Sequence, residues 1–208
     1  MEEKKISEQE SLELITRMIN QTKKDLSVGN GDSFLMWGYL SAAISLAVIV
    51  MLLATNDPRY AWLYMVIPIA GFTASGIKTY KAKRKSHVAS TYASNTINNV
   101  WAIISAVFAV YAISCLLHFG EVRSWNGMFL LGMLLPGIGT YTTGVILKEK
   151  SIQMCGLLGV VIGTGLLRDY VCGEQVISIR QMGQMVLSFV ITLIIPGHIL
   201  NFKAKKQQ

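Results

Sequence analysis

Charge is what this chain has little of. Only 15% of its 208 residues are Asp, Glu, Lys or Arg, against roughly 25% in soluble domains, and none lies in the core of any long apolar run. Ionisable groups inside such runs mark ion and proton pathways, so their scarcity argues against a proton- or sodium-driven pump. Cysteine is also scarce: three residues do not make a disulfide scaffold. Cys115 and Cys172 remain a candidate pair, and small buried hydrophobes are the plainer reading of all three thiols. There is no His-x-x-Glu-His, no Cys/His cluster at ligand spacing, no pair of carboxylates within an apolar run, and no glycine loop ahead of Lys and Ser to cradle phosphate. No catalytic residue, metal ligand set or cofactor site can therefore be named, and the chain is expected to be non-enzymatic. The first 32 residues are polar, with no apolar segment behind a basic start, so no secretory signal is expected and the first apolar span takes on targeting.

Hydrophobic residues make up 52% of the chain and are gathered into long runs. A run of about 18 or more uncharged apolar residues reads as a membrane-spanning helix. Six are expected, at about 34–54, 60–77, 97–117, 125–147, 152–167 and 182–200. Trp37, Tyr39, Trp62 and Tyr64 sit near span ends, where aromatic belts form. The fifth run is short for a hydrocarbon core of about 30 Å.

A net charge of +7 invites a nucleic-acid reading, but a nucleic-acid face needs basic residues clustered on a soluble element, and here they flank apolar spans. Lys78, Lys81, Lys83, Arg84 and Lys85 follow the second span. Lys148 and Lys150 follow the fourth, and Lys203, Lys205 and Lys206 the sixth. The odd-numbered spans are followed only by isolated arginines, offset by Asp57, Glu121, Asp169 and Glu174. By the positive-inside rule both termini are cytoplasmic. The basic run at Lys78, Lys81, Lys83, Arg84 and Lys85 enforces that topology and is a candidate site for anionic lipid headgroups, each basic residue near the surface contributing roughly 1 kcal/mol.

Residues 7–26 read as a cytosolic amphipathic helix. Ser7 with Glu10 forms a capping box, and Leu12, Ile15, Ile19 and Leu26, with Met18 beside them, make an apolar stripe at helical spacing. The turn-rich stretch 27–33 is expected to end it before the membrane.

Three of the four prolines lie inside apolar spans. Pro68 is followed by Gly71, Pro136 by Gly139, and Pro196 by Gly197 and His198; a lysine comes soon after each. Proline removes a backbone hydrogen bond and kinks a spanning helix. The recurrence suggests one helical hairpin written three times, with Pro68, Gly71, Pro136, Gly139, Pro196 and His198 as candidate kink or cavity positions. The fifth span carries Gly159-x-x-x-Gly163, small residues one turn apart that let helices pack closely inside the bundle or across a homodimer. Thr140, Tyr141, Thr142 and Thr143, with Ser188 and Thr192, would line a polar path unless their hydroxyls bond back to their own helices.

The stretch Ile6–Asn20, followed by Phe34-Leu-Met-Trp-Gly-Tyr-Leu40, resembles small bacterial multi-span membrane proteins with no assigned function. The resemblance implies a bacterial cytoplasmic membrane and a short cytosolic leading helix. It transfers no functional residue. The expected fold is all-α, an integral membrane bundle of six transmembrane helices. Residues 1–32 are the cytosolic helix and linker. Residues 33–208 are the membrane domain, with hairpins at about 34–77, 97–147 and 152–200. The expected function is that of a membrane-complex or regulatory subunit that meets a protein partner or a second copy. The alternative is a facilitator for small solutes, with a cavity among the kinked hairpins.

Overall fold

The computed structural model describes residues 9, 12, 13, 16, 30–85, 92–117, 122–172 and 178–206. Among these the chain is helical throughout, with no strand. In order come α1 (Asn30–Thr55), a 3-10 helix (Pro58–Met65), α2 (Val66–Lys85), α3 (Tyr92–Leu117), α4 (Val122–Ile146), α5 (Lys150–Val171), α6 (Ile179–Phe189), a π-helical turn (Val190–Ile194) and α7 (Ile195–Lys206). The predicted leading helix falls almost wholly outside the described residues. Of it, Gln9, Leu12, Glu13 and Thr16 are helical and exposed.

Five helices are long and apolar enough to cross a membrane: Gly31–Thr55, Tyr92–Leu117, Gly127–Ile146, Lys150–Asp169 and Ile179–Lys206. They fit a multi-pass membrane protein. The segment expected to span at 60–77 has a different build. Asp57 accepts a hydrogen bond from the Arg59 amide and caps a 3-10 helix that opens on Pro58. The α-helix starts only at Val66, with Pro68 in its first turn, where a missing amide hydrogen costs least. Its second half is Lys- and Arg-rich, so the purely apolar α-helical part is short. Of the turn expected at 27–33, residues 30–33 already belong to α1 and the rest lies outside the described residues. Asp32 supplies negative charge to the first turn of α1 and accepts a hydrogen bond from Asn201 of α7 (2.8 Å), so tertiary contact and the helix dipole override local turn propensity.

The distribution of side chains is inverted relative to a soluble domain. Ser41, Ser45, Thr140, Thr143, Ser188 and Thr192 are buried, whereas Val110 is 67% and Leu117 78% exposed. Apolar surface on this scale is not tolerated in water and is ordinary in lipid. The centre is built from Met133, Ile152, Met185, Phe189 and Leu193.

α1 packs along the last span and against the 3-10 helix and α2, while α4 packs against α3 and, most extensively, α5. No substantial contact joins α2 to α3 among the described residues. One end of the bundle gathers every described lysine. There Lys78 donates to Ser33 (2.9 Å), and Lys203 pairs with Glu149. At the other end, Asp169 meets Arg168 (2.9 Å) and Arg180 (3.5 Å), and Gln181 forms a capping box with Ser178.

Candidate functional site: a cavity between two helices

Where α2 and α3 fail to meet, the bundle holds a cavity of about 560 Å³. α1 contributes Phe34, Trp37 and Ser41 to its wall, and α2 contributes Pro68, Phe72, Ser75 and Thr79. α3 lines it from Ile97 to Ala112, α4 adds Phe129, Gly132 and Pro136, and Met185, Phe189 and Leu193 close the back. Two edge-to-face aromatic pairs tie the sides together. Phe34 meets Trp101 with centroids 5.2 Å apart, and Tyr64 meets Phe129 at 4.8 Å.

Each side of the cavity is held by the same joint. Trp37 of α1 lies over Gly71 of α2, where an added Cβ would strike the indole ring, and its Nε1–H donates to Ser75 (3.1 Å). Trp101 of α3 lies over Gly139 of α4, where a Cβ would come within 3.2 Å of the ring, and its Nε1–H donates to Thr143 (3.2 Å). In both, proline is followed by glycine three residues on and by a hydroxyl seven residues on: Pro68, Gly71, Ser75 and Pro136, Gly139, Thr143. One turn after each tryptophan comes a serine, Ser41 and Ser105, and both line the cavity. A glycine and a hydroxyl four residues apart share one helix face, so the pair seats the ring and satisfies the indole hydrogen, which needs a partner when buried. No protein-family model, curated protein or solved structure matches the chain.

Among the described residues no such joint forms at Pro196. Pro196 is buried and does not line the cavity. It is the second residue of α7, directly after the π-helical turn in which the Ile195 amide reaches back to the Val190 carbonyl. The missing amide hydrogen of Pro196 leaves the Thr192 carbonyl without its α-helical donor, and Thr140 of α4 donates to that carbonyl (2.7 Å). The structure thus brings Pro68, Gly71, Pro136 and Gly139 to one site and keeps Pro196 apart from it. His198 is exposed, and a hydrogen bond of 2.8 Å joins its Nε2 to the hydroxyl of Tyr39.

Of the remaining hydroxyls, that of Ser188 is buried without a partner. Thr142, Thr143 and Thr192 each donate to the carbonyl four residues earlier. Gly159 and Gly163 face inward. A Cβ on Gly163 would come within 2.6 Å of Leu134 of α4, and one on Gly159 would strike Thr192. On the same helix, a Cβ on Gly156 would lie 2.6 Å from the Tyr141 Cα of α4, and facing them on α4 a Cβ on Gly137 would lie 2.9 Å from the Val160 amide nitrogen. Cys115, Cys155 and Cys172 are free thiols.

Sequence reading caught the prolines and glycines but missed the tryptophans and serines that make them into a joint. The signal was available: Trp-x-x-x-Ser recurs at 64 residues and Pro-x-x-Gly-x-x-x-Ser/Thr-Gly at 68. A search for one repeated unit by its prolines alone grouped Pro196 with the other two.

Proposed function

We propose that this chain is a non-enzymatic, multi-pass protein of the bacterial cytoplasmic membrane that receives an apolar molecule from the bilayer in the cavity between α2 and α3. In this reading the 3-10 helix and α2 together make a sixth crossing, both termini are cytoplasmic, and the first two hairpins form the two walls of the site. The observation that carries it is the state of the polar atoms on those walls. Ser75 accepts from Trp37, Ser33 accepts from Lys78, and Ser105 donates to the Trp101 carbonyl (2.8 Å). The lining includes no carboxylate, imidazole, thiol or amine, so it offers surface for burial rather than groups for chemistry. Its volume lies in the range of small-molecule sites. The Tyr64 hydroxyl lies in the same wall without a partner; the predominantly apolar lining supports a binding site for apolar matter better than a hydrated route for a solute.

A second reading keeps the chain as a subunit of a membrane complex. What favours it is Leu12, 65% exposed on the leading segment, an apolar side chain available to a partner groove. The inward-facing glycines give less support to a homodimer through the fifth span.

The cavity reading is tested with a brominated hydrocarbon as fluorescence quencher, in a background where Trp62 and Trp125 are replaced by Phe so that Trp37 and Trp101 report. Quenching is expected, and Ala109→Phe, which fills the cavity, is expected to reduce it by about half. Equal quenching in the filled variant would sink the reading.

A further inference from the structure

Resting on that reading of the cavity, we infer that its occupant is one acyl chain of an anionic phospholipid, with the headgroup held at the lysine-rich end. Shape is the first argument. The cavity wall on α3 runs from Ile97 to Ala112, about 22 Å at the α-helical rise. A volume of 560 Å³ drawn out over that length makes an elongated slot, the shape of extended hydrocarbon. An α-helix with its side chains is about 10–12 Å across and, over that length, does not fit a slot of this volume.

Position is the second argument. The cavity lies among helices of spanning length, and its open side is the gap between α2 and α3. A chain in the slot has its source in the surrounding bilayer and can leave its sister chain outside.

Charge is the third. The cavity does not end at random: at one end its wall is Ser33, Thr79 and Asn98. Lys78 reaches Ser33, and Lys81 follows one turn later on α2, exposed. An acyl chain running down the slot therefore emerges beside the Lys78 ammonium, hydroxyls and an amide, with Lys81 one turn further along α2. The opposite end closes on Met128, Phe129 and Tyr64, which offer nothing to a phosphate beyond one phenol.

The test is native mass spectrometry of the full chain, delipidated in detergent and titrated with phosphatidylglycerol or phosphatidylcholine carrying oleoyl or lauroyl chains. Wild type is expected to retain one dioleoyl phosphatidylglycerol at about tenfold lower concentration than the phosphatidylcholine. Lys78→Gln with Lys81→Gln is expected to erase that preference while leaving phosphatidylcholine binding unchanged. Ala112→Phe shortens the far end and is expected to shift preference from oleoyl to lauroyl chains, a readout that a misfolded protein cannot produce. Ala102→Phe, nearer the lysines, is expected to abolish retention of both.

Three outcomes overturn the inference. If the lysine variant keeps the phosphatidylglycerol preference while the Phe variants act as stated, the headgroup assignment is wrong and the cavity reading stands. If the lysine variant loses it while the Phe variants change nothing, lipid is held only by surface charge. If deleting residues 1–26 raises lipid retention severalfold, the leading segment occupies the slot. Failure of hydrocarbon quenching, by contrast, removes the cavity reading itself.

Discussion

α4 has two working faces, and they are built to opposite ends. Toward α5 it presents Gly137 and Gly144, and α5 answers with Gly156, Gly159 and Gly163, so that backbone meets backbone. Toward α3 it presents Gly132, Pro136 and Gly139; Trp101 and Ile104 close on Gly139, and open volume remains beside Pro136. In lipid, apolar surface alone gives helices no reason to associate, and contact has to come from close packing and interhelical hydrogen bonds. The seam with α5 supplies the packing along its whole length. The α3 face supplies one ring and one indole hydrogen bond per hairpin. That difference is what allows a cavity on one side of a helix whose other side is closed.

The comparison can be broken most severely at the seam. In Gly156→Leu the new side chain starts 2.6 Å from the Tyr141 Cα, where only backbone can yield. A destabilisation of about 3 kcal/mol or more is expected, measured by denaturant titration in detergent micelles; a loss under 1 kcal/mol would show that α4 and α5 are not in backbone contact.

A smaller effect is expected where α4 meets the π-helical turn. Thr140→Val removes the donor to the buried Thr192 carbonyl and is expected to cost about 1–3 kcal/mol. Pro196→Ala restores a backbone amide hydrogen near that carbonyl. In the Pro196→Ala background, Thr140→Val should therefore cost about half as much. Strict additivity of the two changes in a double-mutant cycle would show that Thr140 does not substitute for the missing amide.

The joints come next, and they sharpen the likeness of the first two hairpins. Trp37→Phe and Trp101→Phe each remove one indole donor and are expected to cost about 1 kcal/mol apiece, measured in the same titration. Unequal losses would mean that the two joints are alike in spacing only.

The smallest change is at the turn between α4 and α5. Lys148 has φ 56°, and the Glu149 amide reaches back to the Gly144 carbonyl (2.8 Å), the pattern of a Schellman cap with lysine where glycine is favoured. Lys148→Gly is expected to raise stability by about 0.5–1 kcal/mol, read as a higher midpoint in the same titration.

Much of this was legible along the chain. Apolar runs of spanning length marked five of the membrane-length helices to within a few residues, because burial in hydrocarbon is a property of composition over a window. The segment at 60–77 was harder. Its apolar content reads as a span, but Pro58 and Pro68 set where 3-10 geometry gives way to α-helix. Turn residues at 30–33 pointed to a loop. Contact with Asn201 and the close approach of Gly31 to α7 draw them into α1 instead.

What sequence alone determined is therefore the helical class, the length and apolarity of the main helices, and the gathering of lysines toward one end. Each follows from local composition read against a fixed hydrocarbon thickness. Only the tertiary structure decided that Pro68 and Pro136 share a site while Pro196 does not, that Gly159 and Gly163 are consumed inside, and that a cavity lies between α2 and α3. Those outcomes depend on which small residues face one another across helices far apart in the chain, and a missing Cβ acts only through the partner that fills its place.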